Sequence, residues 1–353
     1  VEKLKRFIDC YVPVEMCNLR CHYCYITQKS KFNNKILKLK YSPKEIRKAL
    51  STERLEGKCL INLCAGGETL LSSEVIELIK ELLEEGHYVM VVTNGTVSKR
   101  LDEICELDSE LLKRLFFKFS FHYLELIRLN KINDYFDNIE KVKNKGCSFT
   151  VEITPSDELI PHIEDIKKIC LERLGALCHI TIGRDDRKPG IDILSDYSFE
   201  EYNEIWSTFE SNLFDYKVSI FYKERKEFCY AGDWSVYINL GTGSLRQCYC
   251  GIELDNIFND ISKPLTFNAI GYECSQPHCY NGHAFLALGV IPELDSPTYA
   301  ELRNRFNSNC QGWLNKEMKA FMSQKLKDNN EEYAELKKEA NYIRNSFLRK
   351  GKL

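Results

Sequence analysis

The stretch FIDCYVPVEMCNLRCHYC, residues 7–24, runs from an apolar, β-branched and aromatic segment straight into three cysteines. The apolar part reads as a first β-strand. Cys17, Cys21 and Cys24 then fall in the loop beyond its carboxyl end, where barrels and open α/β sheets build active sites. A closed structural zinc site wants four protein ligands. The triplet has no fourth thiol close by, and the ring of His22, between Cys21 and Cys24, is poorly aimed to join them. Three thiolates on a cubane iron–sulfur cluster leave one iron open to an outside ligand. Spacing alone leaves zinc and cluster both open.

Working outward, the chain has 353 residues, more than one hydrophobic core usually serves, so a large domain and a smaller one are expected. A net charge of -3 gives no reason to expect nucleic acid or an anionic membrane as partner. No apolar run approaches the roughly 20 residues of a membrane helix, and the first ten residues carry no signal-peptide core. Sixteen cysteines in a long chain with ample core-forming sequence point to metal ligation in a reducing cytosol, since disulfide staples serve short, loop-rich secreted proteins. Cys59, Cys105, Cys147 and Cys170 sit inside apolar runs and read as buried packing.

Over the first 220 residues six strand-like runs alternate with amphipathic helical stretches: FIDCYVPV, CLINLC, YVMVVT, LFFKFSF, SFTVEIT and CHITIG. Ser42-Pro43-Lys44-Glu45 reads as a capping box with Gly57 closing its helix, and Ser198 with Glu201 repeats the box. Gly86 and Gly146 read as left-handed stops of two further helices. Such alternation means parallel strands with helical crossovers, here an α/β fold as a partial (β/α)6 TIM-like barrel. Three units are expected: the barrel over 1–222, a metal-organised segment of hairpin and loops over 223–295, and a helical extension over 296–353. In the second, DWSVYINLGTGSLRQC reads as a hairpin about a Gly-Thr-Gly turn. The polar stretch from about Leu314 to Lys350 reads as a solvated helix packed along the barrel.

The second strand ends in CAGGETLL, so Gly66, Gly67 and Glu68 stand at the same rim as the thiols. Glycines there let backbone approach a ligand closely. A carboxylate or an exposed carbonyl accepts from an ammonium group. With CNLRCHYC, GGET and VVTNGT in place, the chain resembles the radical SAM superfamily over about residues 7–220. Thr69 stands where that family commonly has proline. The resemblance implies that Cys17, Cys21 and Cys24 hold a [4Fe–4S] cluster whose open iron binds S-adenosylmethionine (SAM), with Tyr23 at the aromatic position. It further implies cofactor contacts from Gly66, Gly67, Glu68, Thr93 and Asn94, with Ser120 at a ribose hydroxyl and Arg184 at a carboxylate. His122 and Glu152 lie at or near neighbouring strand ends.

A second set of cysteines, 229, 248, 250, 274 and 279, has gaps too long for a zinc knuckle. CYAGDW…GTGSLRQC resembles the start of the SPASM extension, whose full form needs seven cysteines. Five occur here, closer to the shortened "twitch" version. That resemblance implies one auxiliary [4Fe–4S] cluster on Cys229, Cys248, Cys274 and Cys279, with Cys250 spare and His278 and His283 as nearby hydrogen-bond donors. Structural zinc on the same thiols stays open.

The expected activity is reductive cleavage of SAM to a 5′-deoxyadenosyl radical that abstracts a hydrogen atom from a peptide or protein, installing a crosslink, oxidation or epimer. The alternative is a small-molecule (sugar or alcohol) dehydrogenase or other oxidoreductase with the auxiliary cluster as electron acceptor. The first strand starts near residue 7, so a leader peptide is expected to bind elsewhere or in trans. With no flavin or nicotinamide fingerprint, the resemblance implies an external low-potential donor of the flavodoxin or ferredoxin type and a cytoplasmic location.

Overall fold

The computed structural model describes residues 2–36, 38–272 and 274–350. Nine strands form a single sheet in the order β6-β5-β4-β3-β2-β1-β7-β8-β9. The first six are β1 (Arg6–Val12), β2 (Cys59–Ala65), β3 (Tyr88–Thr93), β4 (Leu115–Ser120), β5 (Ser148–Ile153) and β6 (His179–Ile180). All six pair in parallel, each beside its neighbour in sequence. Crossover helices such as Glu74–Glu84 and Ile132–Asn144 run between them. This is the partial barrel, and each of the six apolar runs supplies one strand.

Period-two alternation sorts the side chains of these strands between two cores. Ile8, Cys10, Ile61, Val89 and Phe117 face the crossover helices. Phe7, Leu60, Tyr88 and Phe116 face inward at the amino ends of the strands, in a second apolar cluster. Two residues further along, the same inward face carries Asp9, Asn62, Met90, Lys118 and Thr150, and Cys64, Ser120 and Glu152 lie two residues beyond. The barrel interior is thus dry at one end and polar at the end where the loops lie.

β7 (Ser235–Asn239) pairs in parallel with β1 and continues the barrel sheet. β8 (Ser244–Arg246) returns antiparallel about the Gly-Thr-Gly turn, and β9 (Glu253–Asn256) follows it. Behind the dry end, Phe285, Leu288, Tyr299, Met318, Phe321 and Leu326 complete the inward cluster. Burial of this apolar surface closes the open side of the barrel.

Both capping boxes form as read, at Ser42–Glu45 and Ser198–Glu201. Gly86 and Gly146 take φ of +102° and +89° just past their helices. Gly57 does not end the first capped helix, which stops at Ala49; it turns the chain into β2 eight residues later, with φ +146°. The polar carboxyl-terminal stretch is three helices rather than one solvated rod: Lys316–Met322, Leu326–Asn329 and Glu335–Lys350. The last lies against the loop of residues 268–270, not along the barrel. Asn345 Nδ2 donates to the carbonyls of Ala269 at 2.9 Å and Ile270 at 3.0 Å, and Asn341 Nδ2 to Ala269 at 2.9 Å. Cys59, Cys105, Cys147 and Cys170 are buried packing residues, as read. Among the described residues no helix is long and apolar enough to cross a membrane.

Candidate active site

The loop after β1 is built onto the end of β2. Gly67 N–H donates to Val14 O at 2.7 Å and Glu68 N–H to Met16 O at 2.9 Å, so the glycine segment pairs with the chain entering the cysteine loop. The approach is close enough that a Cβ on Gly67 would sit 2.0 Å from Met16 O. Only glycine fits there. The Glu68 carboxylate is buried and fully engaged. It accepts from Thr93 Oγ1 at 2.6 Å and Leu70 N–H at 3.0 Å on one oxygen, and from Asn94 N–H at 2.7 Å on the other. Burial raises its pKa against these bonds.

Cys17, Cys21 and Cys24 line one cavity of about 110 Å³ together with Gly66, Gly67, Glu68, Thr93, Asn94 and Ser120. Nine of the eleven site residues expected near the barrel mouth therefore share one enclosure. The loop is held by Asn94 Nδ2 donating to Asn18 Oδ1 at 2.8 Å, and by Arg20 N–H donating to Glu125 Oε2 at 2.7 Å. Asn94 Nδ2 also lies 3.9 Å from Cys17 Sγ. Burial pushes the Cys17 thiol up to about 11 and raises Cys21 and Cys24. Cys17 and Cys24 add to the shift at Cys21, which marks the three as neighbours. Protonated as free thiols, they become thiolates when a metal centre supplies positive charge.

Among the described residues no three His, Cys, Asp or Glu side chains converge on a point as the ligands of one ion would. Cys17, Cys21 and Cys24 all line one cavity, and three thiolates suit a cluster that takes a different iron on each. The His22 ring points away, 2.9 Å from Glu158. The donor set fits the implied cluster, and the glycine cradle that a Cβ would fill fits a ligand beside it.

Tyr23 and Arg184 do not join this enclosure. They line a larger adjoining cavity of about 570 Å³, which shares Cys24, Cys64, Ser120 and His122 with the first. The Tyr23 hydroxyl lies 2.6 Å from His122 Nδ1, and burial holds His122 neutral with a pKa near 4. Glu152 is committed inside the barrel, 3.1 Å from Lys118 Nζ and in contact with the buried Arg303 guanidinium. Burial, then the Arg303 charge, bring Lys118 down to about 7. Lys118, Lys217, Asp9 and Tyr249 went unread as site residues. The signal for Lys118 and Asp9 was a lone charge inside the apolar strands LFFKFS and FIDCYV.

The later cysteines gather in space. Burial comes first in raising Cys229, and the nearby Cys279, Cys248 and Cys274 add to it. Burial also takes Cys248 up to about 12, with Cys250 and Cys274 adding to it. Cys250 is exposed and lines the larger cavity. Tyr249, between Cys248 and Cys250, donates to buried Asp9 on β1, which also accepts from Asn62 Nδ2 at 2.7 Å and Asn281 Nδ2 at 3.0 Å. The thiol loop and the barrel interior are thereby one hydrogen-bonded unit.

The Radical SAM superfamily model matches residues 11–168. A protein of Methanocaldococcus jannaschii, named as a glycyl-radical enzyme activating enzyme, is 32% identical over 154 residues, which are 43% of this chain and 56% of that protein. The chain thus spans little more than half the length of that relative. Among solved structures, Streptococcus suis SuiB bound to S-adenosylmethionine superposes with a TM-score of 0.51 at 13% identity, over 73% of this chain and 64% of SuiB. The protein anSMEcpe with bound AdoMet gives 0.50 at 16% identity, over 72% and 79%. At such identities these likenesses speak for the fold. The segment that matches the Radical SAM superfamily model, residues 11–168, spans the thiol loop and the glycine rim.

Proposed function

We propose that the chain cleaves SAM reductively and uses the resulting 5′-deoxyadenosyl radical to take a hydrogen atom from a peptide or protein. The observation that carries this reading is the single enclosure shared by Cys17, Cys21, Cys24 and the Gly66–Gly67 cradle. When bound there, a [4Fe–4S] cluster supplies the electron that breaks the sulfonium bond. The chain's own residues bind and orient. Because the Glu68 carboxylate already accepts three internal hydrogen bonds, main-chain carbonyls at the glycine rim are left to take the cofactor's ammonium group. Ser120, on the wall common to both cavities, is placed for a ribose hydroxyl. Thr93 and Asn94 fix the rim through Glu68. The larger cavity, walled on one side by Tyr249 and Cys250 of the later thiol loop, receives the substrate.

Cys229, Cys248, Cys274 and Cys279 are assigned to one auxiliary [4Fe–4S] cluster, in line with their mutual proximity. Protein as substrate is supported by the relative named for activating a glycyl-radical enzyme. The second reading, a small molecule, is favoured by the cavity of about 570 Å³, a size that suits a single small ligand. An external low-potential electron donor and a cytoplasmic location belong to either reading.

The test is 5′-deoxyadenosine production by anaerobically reconstituted, reduced protein mixed with SAM. Wild type forms it, and Cys17→Ala does not. Cys229→Ala carries about four irons where wild type carries about eight, as loss of one cubane requires. Product from Cys17→Ala, or an unchanged iron count in Cys229→Ala, removes the corresponding assignment.

A further inference from the structure

The larger cavity carries more positive charge than its walls neutralise. Lys118 reaches it from β4, Arg184 from the segment just after β6, and Lys217 from the helix Asn212–Ile220. Lys118 is matched by Glu152. Lys217 and Arg184 are not: among the described residues neither forms an ion pair, although Asp186 lines the same cavity. Lys217 makes one hydrogen bond, to Thr181 Oγ1, and an ammonium group has three N–H donors. Burial and its cationic neighbours Arg184 and Lys118 all act against its charge, with no acid to offset them. A half-buried cation left this way is destabilised unless a ligand brings the opposite charge. Beside the pair, His283 Nδ1 is buried, lines the same cavity and has no partner among the described residues.

We propose that Lys217 and Arg184 together grip an anionic oxygen group of the substrate, a carboxylate or a phosphate, at the end of the larger cavity, with His283 as an additional hydrogen-bonding group. This rests on the reading that the larger cavity receives the substrate. The group selects substrates by charge. A neutral isostere leaves the cations unpaired, whereas the anion pairs with both in a site of low dielectric. The other source of a carboxylate is the cofactor itself. The placement argues against it, because neither Lys217 nor Arg184 lines the thiol cavity.

The experiment is a thermal-shift titration of the anaerobic holoprotein at constant ionic strength, with succinate, inorganic phosphate and neutral succinamide as probes. It compares wild type, Lys217→Met, Arg184→Gln and the exposed control Lys188→Met, each with and without saturating SAM. Succinate or phosphate raises the wild-type melting temperature and succinamide does not. Lys217→Met and Arg184→Gln need at least tenfold more anion for the same shift, and Lys188→Met behaves as wild type. The response persists with SAM bound. A wild type indifferent to both anions, or Lys217→Met and Arg184→Gln responding as wild type does, overturns the proposal. So does a response that vanishes once SAM is bound, which hands the pair to the cofactor. 5′-Deoxyadenosine formation, read on the same samples, separates the two levels. Its absence beside an intact anion response refutes the radical chemistry alone, and its presence without an anion response refutes only this site.

Discussion

Glu68 and Asn94 tie together the carboxyl ends of two neighbouring barrel strands: Glu68 Oε2 accepts the Asn94 N–H at 2.7 Å. The partner oxygen holds Thr93 and Leu70, so one buried carboxylate organises the rim on which the cysteine loop rests. Glu68→Ala strands three donors and is expected to cost about 3 kcal/mol, with Glu68→Gln costing less because its amide oxygen keeps part of the set. Chemical denaturation of the two variants against wild type checks the order. Equal stabilities for wild type and Glu68→Ala would show that the rim is held by something else.

Gly67→Ala asks whether the glycine rim carries the thiol loop. A methyl group 2.0 Å from Met16 O forces the backbone segments apart, directly before Cys17. The variant is expected to reconstitute with about four irons instead of about eight, retaining the auxiliary set. Iron and sulfide analysis reads the outcome, and a full complement of iron would mean the loop tolerates the displacement.

His87 makes the fold sensitive to acid. Its Nε2–H donates to Leu50 O at 2.8 Å while Nδ1 accepts from Cys59 N–H at 3.2 Å, an arrangement only the neutral ring can make. Burial lowers its pKa to about 4, so between there and the unfolded value near 6.5 the unfolded chain binds the extra proton. This contribution is complete above about pH 6.5 and is lost as pH falls towards about 4, at most about 3 kcal/mol. His122, also lowered to about 4 by burial, adds a loss of the same sign. Denaturation at pH 7.5, 6 and 5 should show a steeper loss for wild type than for His87→Gln.

Tyr249→Phe removes the phenol that links the auxiliary thiol loop to Asp9 in the barrel. Asp9 keeps Asn62 and Asn281 as donors, so a loss of about 1–2 kcal/mol is expected rather than unfolding. Burial already raises the Asp9 pKa, and withdrawing a donor to the charged form raises it further. A stability unchanged by the substitution would contradict the link.

The sheet was legible because each strand announces itself: YVMVVT is a nearly continuous apolar run, as buried parallel strands often are, and SFTVEIT alternates polar with apolar residues. The thiol cavity was legible because its cysteines and glycines sit at consecutive strand ends, a few residues from each apolar run. Arg184 illustrates the limit. Its place after β6 could be read, but which cavity it faces depends on the loops around it. Lys217 was silent, one lysine on an ordinary amphipathic helix that becomes a cavity wall only once that helix packs beside β6. Glu152 was not legible as a committed residue because Arg303, its partner, lies far along the chain in the helical extension. The closing of the barrel by Phe285, Tyr299 and Phe321 was likewise hidden, since long-range packing leaves no local pattern.

The most direct measurement is the electron paramagnetic resonance spectrum of the reduced protein before and after addition of SAM. Direct binding of SAM to an iron left open by Cys17, Cys21 and Cys24 should change the spectrum of wild type and of Cys229→Ala, and leave Cys17→Ala unchanged. A wild-type spectrum indifferent to SAM, or zinc found on those three sulfurs, would contradict it.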